Sequence, residues 1–492
     1  MMRINCFIPY ESPLQVQRTI RNLQDTGCVA KIYLLAMRDV PPLDGCEMLR
    51  VGSLASTAAM RLVARHADTV YTLIYMKYTT LEWRPYALER FLRIADDSNA
   101  AILYADHCQW RGGQQILCPL IDYRKGSLRD DFDFGSVLLY RSDVLKAAVG
   151  SMDADYRFAG LYDLRLRTSR EGEVFHVNEC LYAEVEEDLR TSGEKQFDYV
   201  NPQNAGVQKE MEAACTNHLK AVGAYVEPME EDLDFSAGSF PFEASVIIPV
   251  RNRVATIGDA VRSALSQRSS FRYNVIVIDN YSTDGTAELL ETFRSDERFI
   301  YLMPTRTGLG IGGCWNMGIH HPACGKFAIQ LDSDDLYSGE HALQTIVDAF
   351  YEQKCAMVVG TYRMTDFEKN EISPGVIAHR EWTQENGHNN LLRVNGLGAP
   401  RAFYTPLLRE LNFPDVSYGE DYAVGLAMSR RHRIGRIYDV IYLCRRWAGN
   451  SDACLDMAGV NKHNAYKDML RTLELEARIT LNKRKEGYGE AR

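Results

Sequence analysis

The chain has 492 residues, 46% of them hydrophobic and 25% charged, and a formal net charge of −10. At roughly 150 residues per domain this length suggests two to four domains of ordinary globular composition, which excludes a collagenous, coiled-coil or wholly disordered chain. The excess of acid opposes a sequence-wide grip on nucleic acid, and no stretch approaches the roughly 18 consecutive apolar residues of a membrane-crossing helix.

The opening stretch, MMRINCFIPYESP, turns polar at Tyr10, Glu11 and Ser12, too early for a signal peptide, so a cytoplasmic chain is expected. The 12 cysteines are scattered singly with no C-x-x-C pair, the pattern of reduced thiols. Cys6–Tyr10, Ile32–Met37, Val70–Met76 and Ala101–Tyr104 read as strands, and residues 12–24, 53–66 and 84–96 as amphipathic helices. That alternation predicts an α/β domain over 1–190, with a mostly parallel sheet flanked by helices. A polar stretch, an amphipathic pattern over 204–222 and the acidic, Gly- and Pro-bearing run after it read as a helical linker over 191–242. The rhythm then restarts, with strands at Ser245–Val250, Asn274–Asp279, Lys326–Leu331 and Ala356–Thr361 and helices over 254–267 and 339–353. FIPY at Phe7–Tyr10 reappears as IIPV at Ile247–Val250, the pattern from Leu81 to Leu88 reappears from Leu336 to Leu343, and Leu161-Tyr162-Asp163 reappears as Gly419-Glu420-Asp421. The matches keep their order, which predicts a duplicated architecture, with a second domain over 243–455 and a helical extension over 456–492.

The chemistry concentrates in the second copy. In SVIIPVRNR, Pro249 breaks a buried strand and delivers Arg251 and Asn252 to its carboxyl end, where open α/β sheets bind ligands. VIVID ends in Asp279, placed to accept hydrogen bonds from a nucleobase or ribose, while Ser282, Thr283 and Asp284 suit the N-cap of the next helix. QLDSDDL sets Asp332, Asp334 and Asp335 straight after an apolar strand. Crowded acids repel one another unless a cation sits among them, and a hard ion, Mg2+ or Mn2+, takes oxygen ligands completed by substrate phosphates. The plainer alternative is an acidic helix start. Glu420 and Asp421 also precede a helix; either they cap it or one of them serves as general base toward a hydroxyl.

SVIIPVRNR, VIVIDNYSTDGT, GIGGCWNMGI, QLDSDDL and GED, in this order, resemble glycosyltransferase family 2. The resemblance implies two GT-A-like (nucleotide-diphospho-sugar transferase) domains. It also implies inverting, metal-dependent transfer of a sugar from a nucleotide sugar, with UDP as the expected nucleotide, to an acceptor hydroxyl in bacterial polysaccharide or glycoconjugate synthesis. By it, Pro249, Val250, Arg251, Asn252, Asp279, Asn316, Asp332 and Ser333 bind the nucleotide sugar, Asp334 with Asp332 holds Mn2+ or Mg2+, and Asp421 is the base. Two departures stand out. Trp315 occupies a position where many relatives carry arginine, and Arg445-Arg446-Trp447 ends where they carry histidine. Glu420, Arg445, Arg446 and Trp447 are then expected at the phosphate or acceptor, with Trp447 either stacked on a sugar ring or packed at the domain edge.

The first copy resembles a degenerate GT-A domain. DSDDL falls on Lys77–Leu81, Asp279 falls near Leu35, and Asp163 reads as a helix cap, so this half is expected neither to bind metal nor to transfer sugar. A glycan or lipid-linked acceptor and no nucleic acid complete the expected partners, with homo-oligomerisation and peripheral association at the inner membrane face as further expectations. Residues 364–400 have the composition of a mobile acceptor lid. The rival readings are a catalytically inactive carbohydrate-binding or scaffold subunit and a sugar-phosphate nucleotidylyltransferase. For the latter, RNRVATIGD is a poor phosphate loop.

Overall fold

Strands such as INCFIPY and YNVIVID are buried along their whole length, as strands covered by helices on both faces must be. The computed structural model describes residues 2–185, 205–228, 232–236, 238–380, 383, 385–447, 450 and 455–489. The chain divides into two compact units, Met1–Ala224 with Asp456–Leu475 and Tyr225–Leu455 with Glu476–Arg492.

The first unit holds β1 (Ile4–Tyr10), β2 (Val29–Ala36), β3 (Glu47–Arg50), β4 (Tyr71–Tyr75), β5 (Thr80–Trp83), β6 (Ile102–Arg111), β7 (Gln114–Cys118), β8 (Val137–Arg141) and β9 (Val174–Val185). The second holds β10 (Ala244–Val250), β11 (Tyr273–Asp279), β12 (Phe299–Leu302), β13 (Phe327–Gln330), β14 (Leu336–Tyr337), β15 (Met357–Thr365), β16 (Glu371–Ile377), β17 (Arg401–Tyr404) and β18 (Ile434–Arg445). The first sheet runs β3-β2-β1-β4-β8-β6-β9-β5 with β7 on β6, and the second runs β12-β11-β10-β13-β17-β15-β18-β14 with β16 on β15. Strand for strand the two orders are the same, and so is the direction of every pairing, which gives the duplication read from scattered sequence matches a topological basis.

Both units are α/β, and both sheets are mixed. Parallel pairing is confined to β3-β2-β1-β4 and β6-β9 in the first sheet and to β12-β11-β10-β13 and β15-β18 in the second. The remaining pairs are antiparallel: β8 and β17 run against both neighbours in the middle of each sheet, β7 and β16 are hairpin partners of β6 and β15, and β5 and β14 are short edge strands. Each sheet carries its apolar core: Leu34, Leu73 and Leu103 on one face of the first and Phe7, Ile74 and Tyr104 on the other, and Val246, Ile248, Val277 and Phe350 at the centre of the second.

Strand register sharpens the comparison of the copies. Tyr10 pairs with Ala36 as Val250 pairs with Asp279, so the counterpart of Asp279 is Ala36, one residue beyond the expected Leu35 and still apolar. Phe7 pairs with Ile74 as Ile247 pairs with Gln330, so the loop before β5 replaces the Asp332–Asp335 loop with one additional residue. That loop carries Lys77, whose ammonium lies 2.7 Å from Glu184, a carboxylate buried on β9. Asp163 sits in the first turn of the helix Gly160–Glu171 and pairs with Arg167 at 2.9 Å rather than with a backbone N–H at the helix start.

The expected C-terminal extension is one helix, Met457–Gly489. Its Asp468 is fully buried in the first unit, accepting from Ser127 Oγ at 3.0 Å, Arg129 Nε at 3.2 Å and Arg471 Nη1 at 2.8 Å. A buried carboxylate needs such donors to offset lost hydration. The segment 364–400, expected as a lid, is largely structured instead. It completes β15, makes β16, and buries the helix Gly387–Asn390 with Leu391 and Leu392; residues 381, 382 and 384 lie outside the described ones.

Candidate active site

The carboxyl ends of β10, β11 and β13 form one edge of the second sheet, and the expected site residues gather there. The β10 loop and the β11 loop are clasped together. Asn252 donates its backbone N–H to Ser282 Oγ (2.8 Å) and accepts from Thr283 N–H through Oδ1 (2.8 Å), while Val254 N–H reaches Asp284 Oδ2 at 3.0 Å. Asn252 at φ 53° and Tyr281 at φ 60° adopt the left-handed backbone region that this tight crossing requires. The STDGT residues therefore join two loops, with Asp284 also accepting from Thr286 N–H; Gly285 holds the N-cap position that Ser282–Asp284 were expected to fill. Pro249 and Val250 end β10, and Arg251 is exposed in the loop that follows.

Asp279 is fully buried, and its oxygens accept from Ser282 N–H (3.0 Å) and from Tyr301 Oη–H (3.0 Å). Its carboxylate thus braces the loop instead of standing open at the sheet edge. Asn316 is engaged in a similar way: its amide donates to the Phe413 carbonyl at 2.8 Å and accepts from Phe413 N–H at 2.9 Å. It also lines a pocket of about 350 Å³ together with Arg306, Leu309, Met317 and Asp415. Trp315 is buried against Phe403 and Phe413, so the residue replacing the family's arginine is core.

The acidic loop after β13 is the centre of the site. Asp332 Oδ1 accepts from Gln330 Nε2 at 2.8 Å, and its backbone N–H donates to Tyr442 Oη at 3.0 Å. Burial, then Asp334 and Asp421, raise its pKa, while Arg401 pulls the other way. Ser333 is half-buried between the two acids. Asp334 Oδ2 accepts from Trp447 Nε1 and Asn450 Nδ2, each at 3.2 Å, and Arg253 Nε stands 4.0 Å away. Asp335 turns inward: it is buried, its Oδ1 accepts Arg445 N–H at 2.8 Å, and burial with the neighbouring acids pushes its pKa well up.

A hydrogen-bonded chain runs from this loop to the second acidic pair. Gln330 Oε1 accepts the Arg401 backbone N–H at 3.1 Å, and Arg401 Nη1 donates to Asp421 Oδ2 at 2.9 Å and to the Gly398 carbonyl at 2.7 Å. Asp421 and Glu420 lie in the first turn of the helix Glu420–Ser429, where acids also suit the helix dipole. Glu420 is nearly buried, one carboxyl oxygen has no partner among the described residues, and burial followed by Asp421 pushes its pKa up to about 8.

Arg445 was expected near phosphate, and the structure uses it within the protein. Its side chain is buried, its Nε donates to the Asp334 carbonyl, its Nη1 reaches Asp259 at 3.0 Å, and the Phe367 ring lies 5.0 Å from its guanidinium carbon. Arg446 is half-buried, and its backbone N–H bonds Thr365 O at 2.8 Å. Trp447 is packed at the domain edge, with Phe367 edge-on at 5.7 Å and the Arg253 guanidinium over its ring at 5.8 Å.

Residues 245–408 match the family model described as Glycosyl transferase family 2. That third of the chain is similar to a family 2 glycosyltransferase domain. The chain is similar to an uncharacterized glycosyltransferase of Rickettsia felis, 29% identical over 198 residues that make up 40% of this chain and 31% of that protein. It is also similar to the putative teichuronic acid biosynthesis glycosyltransferase TuaG of Bacillus subtilis, 26% identical over 148 residues, 30% of this chain and 58% of TuaG. The chain spans about a third of the length of the first of these curated relatives. Among solved structures, S. aureus TarS 1–349 in complex with UDP-GlcNAc matches with TM-score 0.38 at 21% identity, covering 47% of this chain and 66% of that one. Mannosyltransferase PcManGT from Pyrobaculum calidifontis in complex with GDP-Man and Mn2+ matches with TM-score 0.36 at 15% identity, covering 59% and 91%.

The family 2 span takes in Asp279, Asp332, Asp334 and Arg401, while Glu420, Asp421 and the Arg445–Trp447 segment lie beyond it. Sequence reasoning missed Gln330, Arg401 and Asp259. Gln330 had a usable signal, a polar residue ending the apolar strand FAIQ, whereas Arg401 opens a strand after a loop and carries no periodic mark.

Proposed function

We propose that the second unit transfers a sugar from a nucleotide sugar, with UDP-sugars as the donor class, to an acceptor hydroxyl, inverting the anomeric carbon. The observation that carries this reading is the linked pair of acidic sites within and beside the family 2 span, Asp332–Asp334 after β13 and Asp421 on the helix Glu420–Ser429, joined through Gln330 and Arg401. Asp421 is the base. Arg401 and the Tyr422 backbone N–H hold its two oxygens in place, at 2.9 and 2.8 Å. From there the carboxylate accepts the acceptor proton as the hydroxyl attacks opposite the leaving nucleoside diphosphate. Inversion follows from a single displacement with no enzyme nucleophile.

The acids also fit a divalent cation. Among the described residues no group of three or more His, Cys, Asp or Glu forms a cation cage. One or two carboxylates completed by substrate phosphates are nevertheless the usual protein share of a Mg2+ or Mn2+ site. Burial chiefly raises the pKa of Asp332, with Asp334 and Asp421 adding to it and Arg401 opposing, so a cation here would relieve both the lost hydration and the neighbouring charge. Asp334 and Asp332 would hold the ion, which when bound offsets charge on the departing diphosphate.

Donor hydrolysis and transfer with a panel of UDP-sugars and Mn2+ test the reading. Asp334→Asn is expected to lose Mn2+-dependent UDP binding. Asp421→Asn is expected to bind UDP as the wild type does while losing transfer by about 10²-fold or more. Turnover of no donor, with glycan binding retained, would favour the scaffold reading instead.

A further inference from the structure

Asp334 Oδ2 is the only oxygen of that carboxylate bonded by the described residues, and both of its donors come from one segment: the Trp447 indole N–H and the Asn450 amide, each at 3.2 Å. Both donors are neutral, so they fix the rotation of the carboxylate without cancelling its charge. An indole nitrogen donates only and cannot itself ligate a cation. The Trp447 ring is in turn fixed by Phe367 edge-on and the Arg253 guanidinium over its ring. Arg253 Nε, 4.0 Å from Asp334, is too far for a hydrogen bond. Arg445 anchors the segment below, donating from Nε to the Asp334 carbonyl and accepting Asn450 Nδ2 at its own carbonyl, 3.1 Å away.

We propose that Trp447, with Asn450, is a positioning residue for Asp334: the two N–H groups hold Oδ2 so that Oδ1 alone is presented to the cation of the donor complex. The inference rests on the assignment of Asp334 to the metal. Hydrogen-bonded partners of a ligating carboxylate set its orientation, and their loss commonly costs about 10–100-fold in metal affinity. The segment therefore supplies an orienting donor at a position where many relatives would supply a histidine.

The test is Mn2+ affinity in the presence of UDP, read from the electron paramagnetic resonance of free Mn2+, on the full chain. Trp447→Phe keeps an aromatic ring toward Phe367 and Arg253 while removing the N–H donor with part of the indole, so it is expected to weaken Mn2+ binding by about tenfold. Asn450→Ala is expected to act in the same direction. Asp334→Asn is the control for the underlying assignment. If Asp334→Asn abolishes Mn2+ binding while Trp447→Phe and Asn450→Ala both stay within about twofold of wild type, the positioning role is overturned and the metal assignment stands. If Asp334→Asn binds Mn2+ normally, the assignment itself falls. Should Trp447→Phe fail to fold, Asn450→Ala decides.

Discussion

Arg401 is the residue on which the two acidic sites meet, and Glu420 is the acid it leaves unanswered. Burial disfavours a charged guanidinium at Arg401, but Asp421 and Asp332 outweigh it and its pKa is raised. Arg401 donates to Asp421, while Glu420 retains a buried oxygen without a described partner and a pKa of about 8 against an ordinary 4.5. Between those two values the unfolded chain has released the Glu420 proton and the folded chain keeps it, so stability falls as pH rises from about 4.5 to about 8 and levels off above. The slope from this one group reaches about 1.4 kcal/mol per pH unit. Glu420→Gln removes it, so the variant is expected to gain on the wild type steadily toward pH 8, as urea unfolding at a series of pH values would record. Equal pH profiles would place the proton elsewhere. Asp279 and the acids after β13 stood out in the sequence because carboxylates at the end of an apolar strand are conspicuous, and Glu420 and Asp421 because they open a helix. Their partners did not, since Gln330 and Arg401 act through a fold that brings residues distant in sequence together.

At the scale of elements, the glycines that open the helix Ile311–His320 are required by close backbone contact. A methyl group at Gly312 would fall 1.9 Å from the Pro414 carbonyl oxygen, and one at Gly310 would lie 2.5 Å from the carbonyl carbon of Val416. Gly310 N–H bonds Asp415 Oδ1 at 2.7 Å and Gly312 N–H bonds Val416 O at 2.9 Å, so the two backbones touch along their length. Gly312→Ala must push apart backbone that has no room to yield, at a cost on the order of 1–3 kcal/mol. Because the 414–416 stretch leads directly into Glu420 and Asp421, the variant is also expected to lose transfer beyond what its stability explains. Thermal unfolding and donor turnover measured together check both parts. Sequence reading recognised these glycines as a family feature. It placed the apolar strands β1, β2, β4 and β6 with their counterparts β10, β11, β13 and β15, and missed the parallel β3, β9, β12 and β18 as well as the antiparallel β5, β7, β8, β14, β16 and β17. It also read 364–400 as a loop, because the polar HNN of Gly387–Asn390 gives no sign that tertiary hydrogen bonds bury it: Asn389 exchanges bonds with Val226 and His388 with the Ser429 carbonyl.

Across the whole molecule, one architecture is built twice with opposite charge in its key loop. The second copy places acids after β13. The first places Lys77 there and answers it with buried Glu184 on β9, at the register position that Leu443 holds on β18. Removing the ammonium leaves a buried carboxylate short of its cation. Lys77→Met is expected to cost about 2 kcal/mol, less than for a fully buried pair because Lys77 keeps 40% of its side-chain exposure. Nucleotide binding by the second unit is expected to stay as in the wild type, so a fall in unfolding midpoint with unchanged UDP affinity is the result that fits. Sequence comparison found the missing acids, but it did not find the replacement pair, because Glu184 lies far along the chain from Lys77 and meets it only through β5 and β9.

The matched strand order has a practical consequence for watching ligand binding. Each strand of the second sheet has a counterpart in the first with the same neighbours and pairing direction, so the protein contains its own reference for backbone exchange with solvent. Slowing on nucleotide addition that appears after β13 but not after β4 would report the ligand itself. Slowing shared by both would report general tightening, a distinction that a protein with a single copy could not make from within.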